Sequence, residues 1–445
     1  MTSVAAPILR TPPRALVTRR NLRYCAIDGI AFSVMVGLGE VYFARFGLAV
    51  GVSETAAGLL VSVPLLVGAL IQLTTPAGVN LLRSMRAWVV LCAGTQALSF
   101  IPLAIVAARG AVSTVLLFAL VALYWASGMA TGPAWMTWIT TIVPRRVRLR
   151  YFSRRTPMLQ AGQVLAMLGG GAAMALFEQQ GHLNRAFVVM FVFAGLSRAI
   201  GTFCLSRHTQ PIAVPRDQRD VSPAALRELL LHSAGGRLLL FQLLMQVACY
   251  ASGPYFTPYM IKHLHLDNTS FTILISTTFV AKVALLPLIG RAARRFGTRA
   301  VLTFGSVGIG LLPGLWMISP DFRYLLFVQV CSGATWAAFE LTTMLLSLEL
   351  IPENVRTSIL TSYNLANACC MVGGSMIGAA LLRTLGELPS TYMAVFAVST
   401  ALRLLTLVQM ARFTGTHGPP HELAARMAEL AAGTSGPAEE RAVES

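Results

Sequence analysis

Asp28, Glu40, Arg198, Lys282, Glu340 and Arg403 each stand inside a long apolar run of this 445-residue chain. In a bilayer such a residue costs about 2.5–3.5 kcal/mol on insertion scales, so it is kept where it pairs, lines a wet path or carries an ion. Glu340 has the richest options. It lies deep in "CSGATWAAFELTTMLLS", where a carboxyl can load and release a proton, hold a cationic group of a solute, or form a structural ion pair with Lys282. Glu40 offers the same chemistry nearer the end of its run, with Arg45 one turn on and able to neutralise it. Lys282 is expected either to pair with Glu340 or to bind an anionic solute. Arg198 sits in "FVVMFVFAGLSRAIGTFCL", and its expected partner is Asp28, because an uncompensated charge in low dielectric is costly. Arg403 has no matching acid. Its expected acceptors are Gln242, Gln246, backbone carbonyls or water.

Other chemistry is missing from these runs. All seven histidines lie outside them. The seven cysteines lie inside them without metal-ligand spacing, and read as small packing residues. There is no nucleophile–base pair, and no phosphate-cradling glycine loop followed by Lys-Ser/Thr. An enzyme and direct ATP use are therefore not expected, nor is a cofactor or a metal.

The elements that must position these residues follow from composition. The chain is 55% hydrophobic and only 12% charged, against about 25% charged in a soluble domain. Windows of about 20 residues mark twelve apolar stretches, from 24–46 to 389–411. The net charge of +17 is unevenly placed: 26 of the 35 basic residues fall in alternate connectors and tails, 6 in the opposite connectors and 3 inside spans. This defines an arginine-rich and an arginine-poor face. The positive-inside rule puts the arginine-rich face, with both termini, in the cytoplasm. The basic surplus is thus a topology signal and a contact with anionic headgroups, and nucleic acid is not an expected partner.

The chain divides into a cytoplasmic tail (1–23), six spans (24–206), a linker (207–236), six spans (237–412) and a second tail (413–445). No cleavable leader is read in the first twenty residues. Ser222 and Pro223 mark the start of an amphipathic helix in the linker, and "HELAARMAELAAG" (421–433) marks another in the C-terminal tail.

The two halves repeat weakly. Span 1 carries "EVYFARF" and span 7 "GPYFTPY". Span 4 carries "SGMATGPAW" and span 10 "SGATWAAF", and Pro144-x3-Arg148 matches Pro352-x3-Arg356. Phe191, Arg198 and Arg207 of span 6 match Phe396, Arg403 and Arg412 of span 12 at identical spacing. Repeats of this length mean a fold assembled from copies. "TPAGVNLLRSMRAWVVL" after span 2 and "PLIGRAARRFGTRAVL" after span 8 carry the most specific signal. Gly78, Arg83 and Arg86 in the first, and Gly290, Arg295, Gly297 and Arg299 in the second, resemble the gating-loop motif of the major facilitator superfamily. Leu82 and Arg294 stand where that motif has an acid.

The resemblance, over about 22 to 412, implies an all-α membrane protein of twelve transmembrane helices in two pseudo-symmetric six-helix bundles. It implies that spans 1, 4, 7 and 10 line a central path, and helical periodicity gives each a polar stripe. The stripes hold Ser33 and Glu40; Trp135 and Trp138; Gln246 and Tyr250; and Trp336 and Glu340. It further implies a monomeric secondary transporter of the bacterial inner membrane. Such a protein moves a small solute by alternating access, with Glu340 as the expected carrier of a coupling proton. An exporter of amphipathic compounds or drugs, or a lipid-handling or sensor protein of the same fold, stays open beside that reading.

Overall fold

The computed structural model describes residues 14–143, 145–209, 234–350 and 353–414. The linker and C-terminal helices expected above, and the Pro144/Pro352 loop match, lie outside or at the edge of those residues. Every described element is helical, as required where no water can satisfy an open backbone.

Among the described residues, twelve helices are long and apolar enough to cross a membrane. They are span 1 (Arg19–Ala49), span 2 (Glu54–Gln72), span 3 (Met85–Arg109), span 4 (Thr114–Ile139), span 5 (Arg155–Gln179) and span 6 (Leu183–Ser206), followed by span 7 (Gly235–His263), span 8 (Asn268–Phe296), span 9 (Thr298–Leu315), span 10 (Phe322–Ser347), span 11 (Ser362–Leu385) and span 12 (Pro389–Met410).

The two halves share one packing scheme. Span 1 packs on spans 5 and 6, span 4 on spans 2 and 3, and span 3 on span 6; the same pairs recur as 7 on 11 and 12, 10 on 8 and 9, and 9 on 12. Spans 5 and 8, and spans 2 and 11, join the halves. Glycines set the close approaches. A Cβ on Gly37 would strike the Gln163 carbonyl of span 5, and one on Gly333 would strike the Thr278 carbonyl of span 8.

Spans 1 and 7 break at equivalent places. A 3₁₀ turn covers Glu40–Tyr42 in one and Gly253–Tyr255 in the other, ending on the tyrosine of each matched Tyr-Phe pair. Both tyrosines are fully buried. Tyr42 Oη donates to the Met167 carbonyl of span 5 at 2.5 Å, and Tyr255 Oη to the Ser375 carbonyl of span 11 at 2.6 Å. The bond answers the cost of burying a hydroxyl and ties each broken helix to its neighbour. Aromatic clusters flank both breaks, with Phe43 edge-on to Tyr124 at 5.1 Å and Phe256 stacked on Phe396 at 4.6 Å.

Spans 2, 4 and 8 begin at the arginine-poor face with side-chain caps. Ser53 and Ser113 accept from the amides of Ala56 and Leu116. Asp267 accepts from Thr269 at 3.0 Å and Ser270 at 3.3 Å, and the hydrogen bond from Ser270 leads the contacts that hold its carboxyl below the ordinary range.

Candidate functional site

Arg198 Nη1 lies 3.6 Å from Asp28 Oδ1, with both residues buried, and the Phe32 ring lies 5.2 Å from the guanidinium carbon. The pair is not saturated, since Asp28 Oδ1 and Arg198 Nε have no hydrogen-bond partner among the described residues. Arg403 is handled differently. Its Nε donates to Ser399 Oγ at 3.1 Å and its Nη1 to the Ile309 carbonyl at 3.0 Å; Nη2 reaches the Cys249 carbonyl at 3.2 Å and Ser252 Oγ at 3.0 Å. The glutamines expected as its acceptors are not used; Gln242 instead accepts from Tyr363 Oη at 3.0 Å. Ser399 one turn back on span 12 and Ser252 at the break of span 7 stand nearer. Sequence alone could not rank them, because serines are common in spans.

Lys282 Nζ lies 2.5 Å from Glu340 Oε2. The close approach at Gly333 brings spans 8 and 10 together and makes the pair possible. Its side chains are 20% and 50% exposed, so Glu340 is not a sealed carboxyl. Trp336, one turn earlier, is half-buried with its ring edge-on to Phe339 at 6.0 Å.

Glu40 follows a different logic. Its Oε2 accepts from Tyr124 Oη at 2.8 Å, and no basic side chain among the described residues lies within ion-pair distance. The expected neutraliser, Arg45, is buried and donates from Nε to Asn268 Oδ1 of span 8 at 2.9 Å. The 3₁₀ turn between them alters the helical register and sends the two side chains apart. Tyr250, from the other half, lies within electrostatic reach of Glu40.

Two expected lining residues sit elsewhere. Ser33 is buried, bonds its own Gly29 carbonyl at 3.0 Å and packs beside Gly162 of span 5. Trp138 is buried, donates from Nε1 to the Thr209 carbonyl at 3.1 Å and meets the His208 ring edge at 5.5 Å. Periodicity groups residues on one face of a helix; it does not say which neighbour that face meets. Trp135, Gln246, Tyr250 and Trp336 are half-buried.

The gating loops are built unequally. A Cβ on Gly78 would collide with the Trp88 ring, whose Nε1 donates to the Ala130 carbonyl at 3.0 Å. At Gly290 it would meet open space, so no close helix approach depends on that glycine among the described residues. Arg83 ends its helix at φ 49°, and Gly297 turns the second loop at φ 89°. Arg86 Nη1 bonds the His208 carbonyl at 3.3 Å, and Arg295 lies over the Phe296 ring at 5.3 Å. Arg299 stands at the start of span 9. His208 is buried, with Nε2 3.0 Å from the Asn21 carbonyl and Nδ1 unpartnered among the described residues. Burial leads the influences on its ring and holds its pKa below the ordinary value.

Several residues that sequence reasoning passed over join the halves at the arginine-poor face. Glu54 Oε2 accepts from Tyr392 Oη at 2.6 Å and lies 3.0 Å from His263 Nε2. Glu387 Oε1 accepts from the Thr55 amide at 2.8 Å and its hydroxyl at 2.7 Å. Arg45 and Asn268 add a third cross-half contact. All are connector or span-end residues, where polar side chains carry no distinguishing signal in a sequence.

Known proteins share this architecture. The family model described as Major Facilitator Superfamily matches residues 238–438. A point mutant of the nucleoside transporter NupG superposes at a TM-score of 0.67 with 11% identity, covering 88% of this chain and 99% of that one. A bacterial homologue of the iron transporter ferroportin superposes at 0.65 in its inward-facing state, with 16% identity over 90% of this chain and 99% of that one. In its outward-facing state it gives 0.58.

The family match over the second half and the shared fold support a major facilitator superfamily protein. The twelve-span, two-bundle fold expected from the sequence is the one observed, and the chain is a multi-pass membrane protein. Two curated relatives are named as triacylglyceride transporters. That of Mycolicibacterium smegmatis is 27% identical over 139 residues, and that of Mycobacteroides abscessus 24% over 137 residues, each match covering 31% of this chain. The matches span about a quarter of each relative's length (24% and 26%).

Proposed function

We propose that this protein moves an amphipathic solute across the bacterial inner membrane by alternating access, as a monomer with both termini in the cytoplasm, and that the structure is its inward-open state. The observation that carries the reading is the set of cross-half contacts at the arginine-poor face: Glu54 with His263 and Tyr392, Thr55 with Glu387, and Arg45 with Asn268. The arginine bias makes that face periplasmic. The better superposition on an inward-facing than on an outward-facing neighbour supports the same state.

The amphipathic solute is supported by the printed names of the relatives and by the half-buried aromatics Trp135, Trp336 and Tyr250 near charged groups. The Lys282–Glu340 pair offers both signs of charge to a polar head. Coupling falls to Glu40 rather than Glu340. Glu340 already has a cationic partner, whereas Glu40 has only the Tyr124 hydroxyl among the described residues, so its membrane-embedded charge is unanswered when it is ionised.

Proteoliposomes test this with labelled fatty acids, acylglycerols and polar metabolites as cargo. An amphipathic cargo should accumulate under a proton gradient. Glu40→Gln should keep solute-for-solute exchange and lose gradient-driven accumulation. Full gradient-driven accumulation by a well-expressed Glu40→Gln would remove Glu40 from coupling, and uptake confined to polar metabolites would remove the amphipathic solute.

A further inference from the structure

Most cations of the spans have their charge answered or their donors used. Arg403 makes bonds to two serines and two carbonyls. Arg45 holds Asn268, Lys282 holds Glu340, and Arg198 faces Asp28. Arg155, at the first turn of span 5, differs. Its Nε donates to the Cys25 carbonyl at 3.2 Å and its guanidinium lies 5.4 Å from the Trp135 ring centre. Its Nη2, with Cζ and Nε behind it, occupies the place a Cβ would take on Gly29. The Cys25 thiol also lies within hydrogen-bonding reach of the guanidinium; beyond Cys25 the guanidinium has no hydrogen-bond acceptor among the described residues, and the side chain is half-buried. The plane is thus fixed by Cys25 on one edge and by an indole on one face, with terminal N–H groups left over.

The local charge is also uneven. Asp28 feels Arg155 as well as Arg198. One carboxylate against two guanidiniums leaves one positive charge over, at the arginine-rich end of the first bundle.

We propose that Arg155, framed by Gly29, Cys25 and Trp135, is a binding site for a compact anionic group: a carboxylate, phosphate or sulfate. A guanidinium fixed in plane presents paired N–H groups that match two oxygens of such a group, and the indole beneath it keeps the cation in place without consuming those donors. The site stands on its own geometry. Its role as the first contact of a transported solute rests on the inward-open reading above. Two sources share the chemistry, a free anion or solute and the headgroup of an anionic lipid.

Thermal unfolding of the purified protein separates them. One arm uses neutral detergent with sodium phosphate against chloride at equal ionic strength. The other compares nanodiscs of phosphatidylcholine with and without phosphatidylglycerol. The wild type should gain about 2–5 °C in at least one arm. A gain with phosphate assigns a free anion, and a gain only with phosphatidylglycerol assigns a headgroup.

Arg155→Gln should lose the gain, Arg155→Lys should keep only part of it, and Arg291→Gln, a change at an exposed arginine, should keep it all. Gly29→Ala should weaken it while folding, because the added methyl meets only the end of a flexible side chain. Equal gains in wild type and Arg155→Gln, or no gain in either arm, would overturn the site. Where Arg155→Gln does not fold, Gly29→Ala decides, and a gain equal to wild type contradicts the proposal. An Arg155-dependent gain without transport leaves the site standing and removes the transport reading; transport without that gain does the reverse.

Discussion

Replacing Glu54 by alanine should open the arginine-poor face. Glu54 belongs to span 2, and both partners of its Oε2, Tyr392 Oη at 2.6 Å and His263 Nε2 at 3.0 Å, belong to the second half. The bonds therefore exist only while the halves touch there. A hydrogen bond to a charged group contributes about 1.5–3 kcal/mol net. The Glu54 and His263 side chains are 13% and 12% exposed, which argues for the lower figure. Two bonds then hold the closed state by about 3 kcal/mol, roughly a 100-fold ratio. Tyr392→Phe removes one of them and should shift the ratio by about tenfold. Thr55–Glu387 and Arg45–Asn268 remain, so the variant still closes, but less often. Thr272 reports the opening: it is buried on span 8, beside Gly171 of span 5 across the half boundary, and cysteine is close to it in size. Alkylation of Thr272→Cys by a membrane-impermeant reagent should speed up about 100-fold with Glu54→Ala and about tenfold with Tyr392→Phe. Equal rates in all three backgrounds would refute the latch.

Three further outcomes follow from the same geometry. Asp28→Asn or Arg198→Gln alone should lower stability by about 3–5 kcal/mol, seen as lost folded protein in the membrane, and the double change should recover much of it; a harmless Asp28→Asn would sink the pairing. His208 is held neutral in the folded protein by burial, so its stabilising effect is present above about pH 6.5 and lost as pH falls toward its lowered pKa; the melting temperature should drop below pH 6.5 in wild type, and less in His208→Gln. Asp267→Ala should cost about 0.5–2 kcal/mol through its lost cap, and the wild-type cap should weaken only below about pH 4, because its pKa is lowered; an unchanged melting curve for the variant at neutral pH would remove the cap from the account.

The bundle could be read from the sequence because its determinants are local. Apolar length sets a span, arginine placement marks a face, and the matched Tyr-Phe pairs mark the repeat of the two halves. Asp28–Arg198 and Lys282–Glu340 could be named because a charge in lipid leaves few partners to choose from. Where the choice was wide, the sequence went astray. Arg403 found the expected carbonyls but serines in place of the glutamines, and Arg45 was turned from Glu40 by a helix break whose angular effect no spacing reveals. Ser33 and Trp138 shared a stripe with the lining residues yet met span 5 and the end of span 6. Tyr124, the partner of Glu40, looked like any aromatic in an apolar run. The contacts across the halves depend on which conformation the protein occupies, and one sequence encodes more than one.

Alternating access is tested most directly by two distances measured on one sample. Spin labels placed across the halves at the arginine-poor face, near Ser53 and Leu388, and at the arginine-rich face, near Arg83 and Phe296, report both by double electron–electron resonance. The account predicts a main population with the arginine-poor pair near and the arginine-rich pair far. Glu54→Ala should raise a second population in which both change in opposite senses. A single population, with both distances fixed in wild type and variant alike, would contradict it.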